Sequence, residues 1–126
     1  MSDITFYTYP SCTSCRKTKH WLKANQIDFK ERHLFRETPT LDELKKILSL
    51  TTDGMDEILA TRSQAFKSLN LNINDLKVNE VLRLLIEKPK LLRRPIILDG
   101  NKLVVGYNPG ELMKISKKKA IHQSVS

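Results

Sequence analysis

The sequence predicts an α/β protein with a mixed four-stranded sheet, built by a βαβ unit and a ββα unit with an all-helical insertion between the halves. Three observations predict this fold. Residues 4–34 hold two β-rich runs around a helical pattern, residues 38–90 are patterned as helices, and residues 96–111 hold two apolar runs followed by a helix start signal. The 126 residues fit the size of one domain, and we expect a single domain over 1–126.

The βαβ unit comes first. Residues 4–9 are rich in β-branched and aromatic types and stop at Pro10, which indicates a strand. Residues 27–34 alternate between the two faces of a second strand, so the two strands are expected to run parallel with a right-handed crossover. On the helix between them, the inward face is formed by residues at i, i+3 and i+7, namely Cys15, Thr18 and Leu22.

The insertion is predicted to be helical throughout. Residues 40–43, Thr-Leu-Asp-Glu, form a capping box, and the turn signal at 53–54, Asp-Gly, precedes short helices around 55–61 and 63–69. Two longer helices are predicted by apolar stripes, Leu41, Leu44, Ile47 and Leu48 on the first, and Val78, Val81, Leu82, Leu85 and Ile86 on the second, which ends at Pro89.

The ββα unit follows Pro95. Residues 96–98 and 103–105 flank a short loop with a glycine and predict a β-hairpin. Residues 108–111, Asn-Pro-Gly-Glu, supply an N-cap and a proline at the first position of a last helix, which should end near Ser116. The complete order is that of thioredoxin-like proteins, with a core at 3–37 and 91–116, a helical insertion at 38–90 and a flexible basic tail at 117–126.

Charge and composition restrict the classes of function. The chain has 22 Lys and Arg against 14 Asp and Glu, a net charge of +8, which favours contact with nucleic acid or an acidic protein surface. No helix-turn-helix or zinc-finger signature accompanies this charge, so sequence-specific DNA reading by the chain alone is not expected. Because no apolar run approaches the roughly 20 residues that cross a bilayer and the N-terminus has no leader pattern, we expect a cytoplasmic protein without membrane contact.

Cys12 and Cys15 form a C-x-x-C pair and are the two cysteines of the chain. Cys12 falls where the first strand turns into the first helix, and the free N–H groups there favour its thiolate, as do Arg16 and Lys17 nearby. Cys15 lies one turn further on, within disulfide range. The pair is therefore suited to oxidation at Cys12 and resolution by Cys15.

Two other interpretations of the cysteine pair stay open. The first is half of a zinc site, although such a site needs four ligands, and the three histidines have no fitting spacing. The second is a pair of inert buried thiols. We expect neither a metal nor a cofactor, because a C-x-x-C in a cytoplasmic βαβ context favours redox chemistry.

A second notable segment precedes the third strand. In thioredoxin-like proteins a cis-proline loop at this place faces the cysteine pair, and Pro95 has the corresponding position in the chain order. Arg94 would then lie close to Cys12, where it would favour a thiolate or hold an oxyanion. The alternative is a surface arginine ahead of a trans proline.

Four segments together resemble one known family. They are the Tyr-Pro-Ser-Cys-Thr-Ser-Cys-Arg-Lys run at 9–17, the Thr-Thr-Asp-Gly-Met-Asp-Glu-Ile turn at 51–58, Thr-Arg-Ser at 61–63, and Leu-Leu-Arg-Arg-Pro-Ile-Ile at 91–97. In these segments, and nearly end to end over residues 4–115, the chain resembles the Spx branch of the ArsC/Spx family.

The resemblance implies a redox-sensing transcriptional regulator of stress responses that binds the C-terminal domain of the RNA polymerase α subunit. It implies that Gly54 belongs to the polymerase-contacting surface, that Cys12 and Cys15 form the switch disulfide, and that Arg94 supports the oxidised, active form. Arg62 matches an arginine of the anion site in the reductase branch. Non-specific promoter DNA contact within the polymerase complex is expected from the positive charge, and the family implies ClpXP protease as a further partner, although the tail ending at Ser126 is shorter than in Spx.

The alternative to a regulator is an enzyme, either an ArsC-like arsenate reductase or a glutaredoxin-like thiol oxidoreductase. Arsenate reductases of this fold surround the oxyanion with three arginines. Arg62 and Arg94 match two of them, but residues 106–108, Gly-Tyr-Asn, stand where the third is expected. A missing donor leaves anion charge uncompensated, so we expect a non-enzyme. A plain DNA-binding module is the third hypothesis.

Overall fold

The computed structural model of the chain describes residues 4–9 and 11–115. The chain divides into two compact units: the first is formed by the segment up to His33 and the segment from Arg94 onwards, and the second is Leu34–Arg93. The first unit holds the sheet, and the second holds the helical insertion. The predicted tail at 117–126 and the helix end near Ser116 lie outside the described residues.

A mixed four-stranded sheet forms the first unit, as the sequence predicts. Its order is β2-β1-β3-β4, with β1 and β2 parallel and the other two pairs antiparallel. The central position of β1 follows from its composition, because a strand paired on both edges and buried on both faces selects apolar residues. The strands are β1 (Ile4–Thr8), β2 (Lys30–His33), β3 (Ile96–Asp99) and β4 (Lys102–Val105).

One apolar core holds the sheet and its helices together. Helix α1 (Thr13–Ala24) turns Cys15, Thr18 and Leu22 inward, which confirms the predicted face. The last helix, over residues 109–115, begins at the predicted cap, where the Glu111 N–H donates to Asn108 Oδ1 at 3.2 Å. The buried members of the core are Ile4, Phe6, Leu22, Ile27, Ile97, Val104, Leu112 and Ile115.

The second strand is shorter than predicted. It covers Lys30–His33 rather than 27–34, and it pairs with β1 alone at the edge of the sheet. Ile27 is 3% exposed and belongs to the core before the strand starts, because its N–H still bonds the Leu22 carbonyl at the end of α1 at 3.0 Å. The first residues of the alternating pattern therefore belong to the segment that leaves α1 and not to the strand.

The second unit contains three α-helices, α2 (Leu41–Ser49), α3 (Gln64–Leu69) and α4 (Val78–Glu87), with 3₁₀ helices at Gly54–Glu57, Ile73–Asp75 and Pro89–Leu91. Helix α2 packs against α4. The capping box is confirmed, since the Glu43 N–H donates to Thr40 Oγ1 and the Thr40 N–H donates to Glu43 Oε1. Among the described helices, none combines the length and apolar character needed to cross a membrane.

Two predictions for this unit were wrong in detail. The helix expected around 55–61 is a single 3₁₀ turn, Gly54–Glu57, because the chain then extends to pair Leu59 with Leu92. Val78 is 56% exposed, whereas the predicted stripe buried it. It is the first residue of α4, and helical side chains lean towards the N-terminus, so Val78 points beyond the packed turns of its helix.

The two valines of α4 provide a matched stability test. Val81→Ala should lower the free energy of unfolding by about 2 kcal/mol, because Val81 is 2% exposed and its removal leaves a cavity. Val78→Ala should change it by less than about 0.5 kcal/mol. Urea unfolding followed by circular dichroism measures both, and equal losses would contradict this orientation of α4.

Candidate functional site

Cys12 lies at the junction between β1 and α1. Its N–H donates to the Tyr9 carbonyl at 3.0 Å, and its own carbonyl accepts from the Arg16 N–H at 3.1 Å. Cys12 is the N-cap of α1, with an extended backbone at φ −88° and ψ 122°. The chain therefore changes from strand to helix at this cysteine, as the sequence predicts.

The sulfur of Cys12 acts as the capping acceptor of the helix. Cys12 Sγ accepts from the Cys15 N–H at 3.3 Å, the place that a serine or aspartate oxygen takes at most helix starts. The first turn of α1 contains no acidic residue, so no carboxylate competes for the free N–H groups. Positive potential at the helix start accommodates negative charge on the half-buried sulfur.

Cys15 has the opposite environment, since it is 1% exposed. Burial raises the pKa of its thiol to about 11, outweighing hydrogen bonds from Thr8 and Tyr9 that lower it, and Cys12 raises it further. Both cysteines are free thiols in this structure. The pair therefore combines an accessible sulfur with a buried, protonated one.

The Arg94-Pro95 peptide bond is cis, which confirms the prediction for this loop. Pro95 is buried, and its carbonyl accepts from the Gly106 N–H at 2.8 Å. The Arg94 guanidinium lies 5.6 Å from the centre of the Tyr9 ring, within cation–π range. Arg94 thus contacts the residue whose carbonyl binds the Cys12 N–H.

The remaining predicted site residues, Gly54 and Arg62, belong to the second unit. Arg62 is exposed and precedes Ser63, whose hydroxyl caps α3 by accepting from the Phe66 N–H at 3.1 Å. Cys12, Cys15 and Arg94 are together in the first unit. The predicted set is therefore shared between the two units.

Gly54 starts the 3₁₀ turn with a left-handed backbone at φ +79°. A Cβ added there would meet no atom within 4 Å, so the glycine is required by its backbone angle and not by lack of space. The Glu57 carboxylate closes the turn, accepting from the N–H groups of Thr52 at 2.8 Å and Asp53 at 3.1 Å. The turn is thus rigidly held while one side of Gly54 stays open.

Arg93 is a residue that sequence reasoning missed. Its Nη1 donates to the Glu57 carbonyl at 3.3 Å, and its N–H donates to the Ile58 carbonyl at 2.8 Å. These bonds anchor the end of the Gly54 turn to the segment before the cis peptide. In the sequence Arg93 is one of several neighbouring cations, so nothing but the tertiary contact distinguishes it.

A zinc site at the cysteine pair would need two further ligands. Within the part of the chain that the structure describes, no group of three or more His, Cys, Asp or Glu side chains is arranged to hold a metal ion.

Comparison with known proteins gives one consistent family. The sequence model of the ArsC family matches residues 7–115. The chain is 78% identical to the regulatory protein MgsR of Bacillus subtilis over 97% of both chains. It is 49% identical to the global transcriptional regulator Spx of Lactiplantibacillus plantarum, over 92% of this chain and 88% of that one. A crystal structure from Bacteroides fragilis, described as related to the ArsC family, superposes with a TM-score of 0.82 at 30% identity, covering 89% of this chain and 96% of that one.

Single-cysteine variants test the contrast between the two thiols. At pH 7, iodoacetamide should modify Cys12 in Cys15→Ser much faster than Cys15 in Cys12→Ser, because a pKa of about 11 leaves about one Cys15 thiolate in ten thousand. The rate at Cys15 should keep rising above pH 9, since a raised pKa moves deprotonation to higher pH. Mass spectrometry measures both rates.

Unfolding both variants in denaturant provides the control, where the two rates should converge. Equal rates in the folded proteins at pH 7 would contradict the environment assigned to Cys15.

Proposed function

Because this chain belongs to the ArsC family and aligns end to end with named transcriptional regulators, we propose that it is a redox-switched regulator that binds the C-terminal domain of the RNA polymerase α subunit. The observation that carries the proposal is the unequal cysteine pair, with half-buried Cys12 at the start of α1 and buried Cys15 one turn behind it.

The switch is an oxidation in two steps. The Cys12 thiolate attacks a peroxide oxygen, the O–O bond breaks, and Cys12 becomes a sulfenic acid while the other oxygen leaves as alkoxide or hydroxide. Cys15 then loses its proton and attacks the Cys12 sulfur, forming the disulfide and releasing the sulfenic oxygen as water. Two electrons pass from the pair to the peroxide, and the i, i+3 spacing suits the bridge.

A disulfide changes the start of α1. In the reduced protein Cys12 Sγ accepts from the Cys15 N–H, and bridging the two sulfurs replaces this weak cap by a covalent constraint on the first turn. Tyr9 shares the junction through its bond with the Cys12 N–H, and Arg94 lies on the Tyr9 ring. We assign Arg94 to support of the oxidised form because it contacts Tyr9, whose carbonyl accepts from the Cys12 N–H.

The partner surface of the proposal is the Gly54 turn. The turn exposes Asp53 and Asp56 beside a glycine without a side chain, an acidic and open surface that fits a basic partner. Glu57 and Arg93 hold its backbone, so little conformational entropy is lost on binding.

Three further parts complete the proposal. Salt-sensitive contact with promoter DNA within the polymerase complex is expected from the net charge of +8. A cytoplasmic location fits the similarity to a named regulator, and ClpXP protease is a further partner that the family resemblance implies.

An arsenate reductase is the second candidate. Its support is the family and the placement of Cys12 at a helix start, which suits a nucleophile. Against it stands the segment 106–108, where Gly106 has a left-handed backbone and Tyr107 stands in place of a cation. Arsenate turnover with a thiol donor, lost in Cys12→Ser, would favour the enzyme over the regulator.

Binding to polymerase α under two redox conditions tests the switch. After treatment with peroxide or diamide, the wild-type protein should retain the isolated α subunit about tenfold more strongly than after dithiothreitol, a coupling typical of two-state proteins. Cys12→Ser and Cys15→Ser should bind equally under both conditions. Binding is measured by pull-down with the thiol state read by mass spectrometry, and oxidant-dependent binding by Cys12→Ser would contradict the switch.

The partner surface is tested by adding a side chain at Gly54. Gly54→Asn should weaken binding to α by at least about tenfold, because the new side chain extends from the contact surface, whereas asparagine tolerates a left-handed backbone and preserves the turn.

Gly100→Asn is the matched control, since Gly100 also has a positive φ, of 57°, but lies in the β3–β4 turn of the other unit. Binding losses of equal size in the two variants would contradict the assignment.

A further inference from the structure

A basic cleft lies along the exposed side of α1. It has a volume of about 500 Å³ and is lined by Thr13, Arg16, Lys17, His20 and Tyr107. The first four residues are spaced i, i+3, i+4 and i+7, so they form one stripe along the helix. The fifth comes from the loop after β4 and makes the opposite wall.

Tyr107 is positioned by hydrogen bonds of the residues before and after it. The preceding Gly106 has φ +78°, and its N–H bonds the Pro95 carbonyl at 2.8 Å. The following Asn108 caps the last helix. Lys17 Nζ lies 6.0 Å from the centre of the Tyr107 ring, so the two walls approach each other. Tyr107 is 38% exposed, and it lines the cleft.

The charge of the cleft selects its ligand. The five lining residues include an arginine, a lysine, a histidine and a phenol, but no carboxylate. Helix α1 itself contains no acidic residue. The lysine of α1 that pairs with a carboxylate, Lys19 with Glu31 at 2.9 Å, does not line the cleft. Such a set of donors fits phosphate or another polyanion.

We propose that this cleft binds the phosphodiester backbone of nucleic acid, with Arg16 and Lys17 neutralising a phosphate and Tyr107 packing against the adjoining sugar or base. Three features favour nucleic acid over a single phosphate group. The cleft, of about 500 Å³, is larger than one phosphate group needs, an aromatic wall suits a base, and the net charge of +8 attracts a long polyanion.

This inference deepens the proposed regulator, on which its biological meaning rests, by giving promoter DNA a defined place of contact. Thr13 follows Cys12 directly, so the cleft begins one residue from the switch. Contact of this kind is independent of base sequence, because phosphates carry no sequence information.

Fluorescence anisotropy tests the cleft without polymerase, using the reduced full-length protein, a labelled single strand and its duplex at several salt concentrations. Arg16→Gln with Lys17→Gln should weaken binding of at least one form by about tenfold at low salt and lower the slope of log K against log salt by about one, because one phosphate contact is lost. Tyr107→Ala should weaken binding further, whereas Tyr107→Phe should retain it.

The matched control is Lys23→Gln with Lys30→Gln, two exposed lysines of the same unit outside the cleft. Equal losses in the two double variants would show a general charge effect and overturn the proposal. Absence of binding by the wild-type protein would also overturn it. So would displacement of the strand by ATP or inorganic phosphate at micromolar concentration, which would indicate a small-molecule pocket.

Polymerase α binding is measured on the same variants. Loss of DNA binding by the Arg16 and Lys17 double variant with retained α binding supports the cleft assignment. If wild-type α binding fails while DNA binding depends on the cleft, the proposed function falls and the inference about the cleft remains.

Discussion

The hydrogen bond from the Cys12 N–H to the Tyr9 carbonyl is the constraint on which the geometry of the cysteine pair depends. It lies between the end of β1 and the start of α1, where one free N–H group of the helix, that of Cys15, meets the Cys12 sulfur. One turn later the same helix buries Cys15 in the core. A single backbone junction thereby gives two identical side chains opposite environments, and this difference is what a thiol switch requires.

The same junction connects the cysteine pair with the rest of the first unit. Tyr9 holds the Arg94 guanidinium on its ring, and the cis peptide that follows Arg94 presents the Pro95 carbonyl to Gly106. Tyr107 is placed by this contact and forms one wall of the basic cleft along α1. A change at the cysteines therefore has a short physical route to both an arginine and a cationic surface.

In the second unit, the hydrogen bonds at the predicted site hold a surface turn, that of Gly54, and not a reactive side chain. Its Gly54 turn depends on the left-handed backbone of that glycine, and the Glu57 carboxylate accepts from two N–H groups that would otherwise bond to water. Arg93 completes the turn from a distant part of the chain. Preorganised turns of this kind suit recognition, since the conformational cost of binding is already met by folding.

Local patterns in the sequence determined the βαβ and ββα units, the caps at Thr40 and Asn108, the inward face of α1 and the cysteine pair, because each depends on residues within one or two helical turns. Tertiary structure alone decided features that join distant segments. Strand β2 is short because its predicted start still belongs to the end of α1, and Val78 is exposed because the first turn of α4 extends past the packed part of the helix. Arg93 has its role because it binds Glu57, 36 residues away in the chain. Tyr107 has its role because it lies beside α1 in the sheet unit. Composition and spacing report the intrinsic preference of a segment, whereas the partner that satisfies a given donor or charge is known only when the chain has folded.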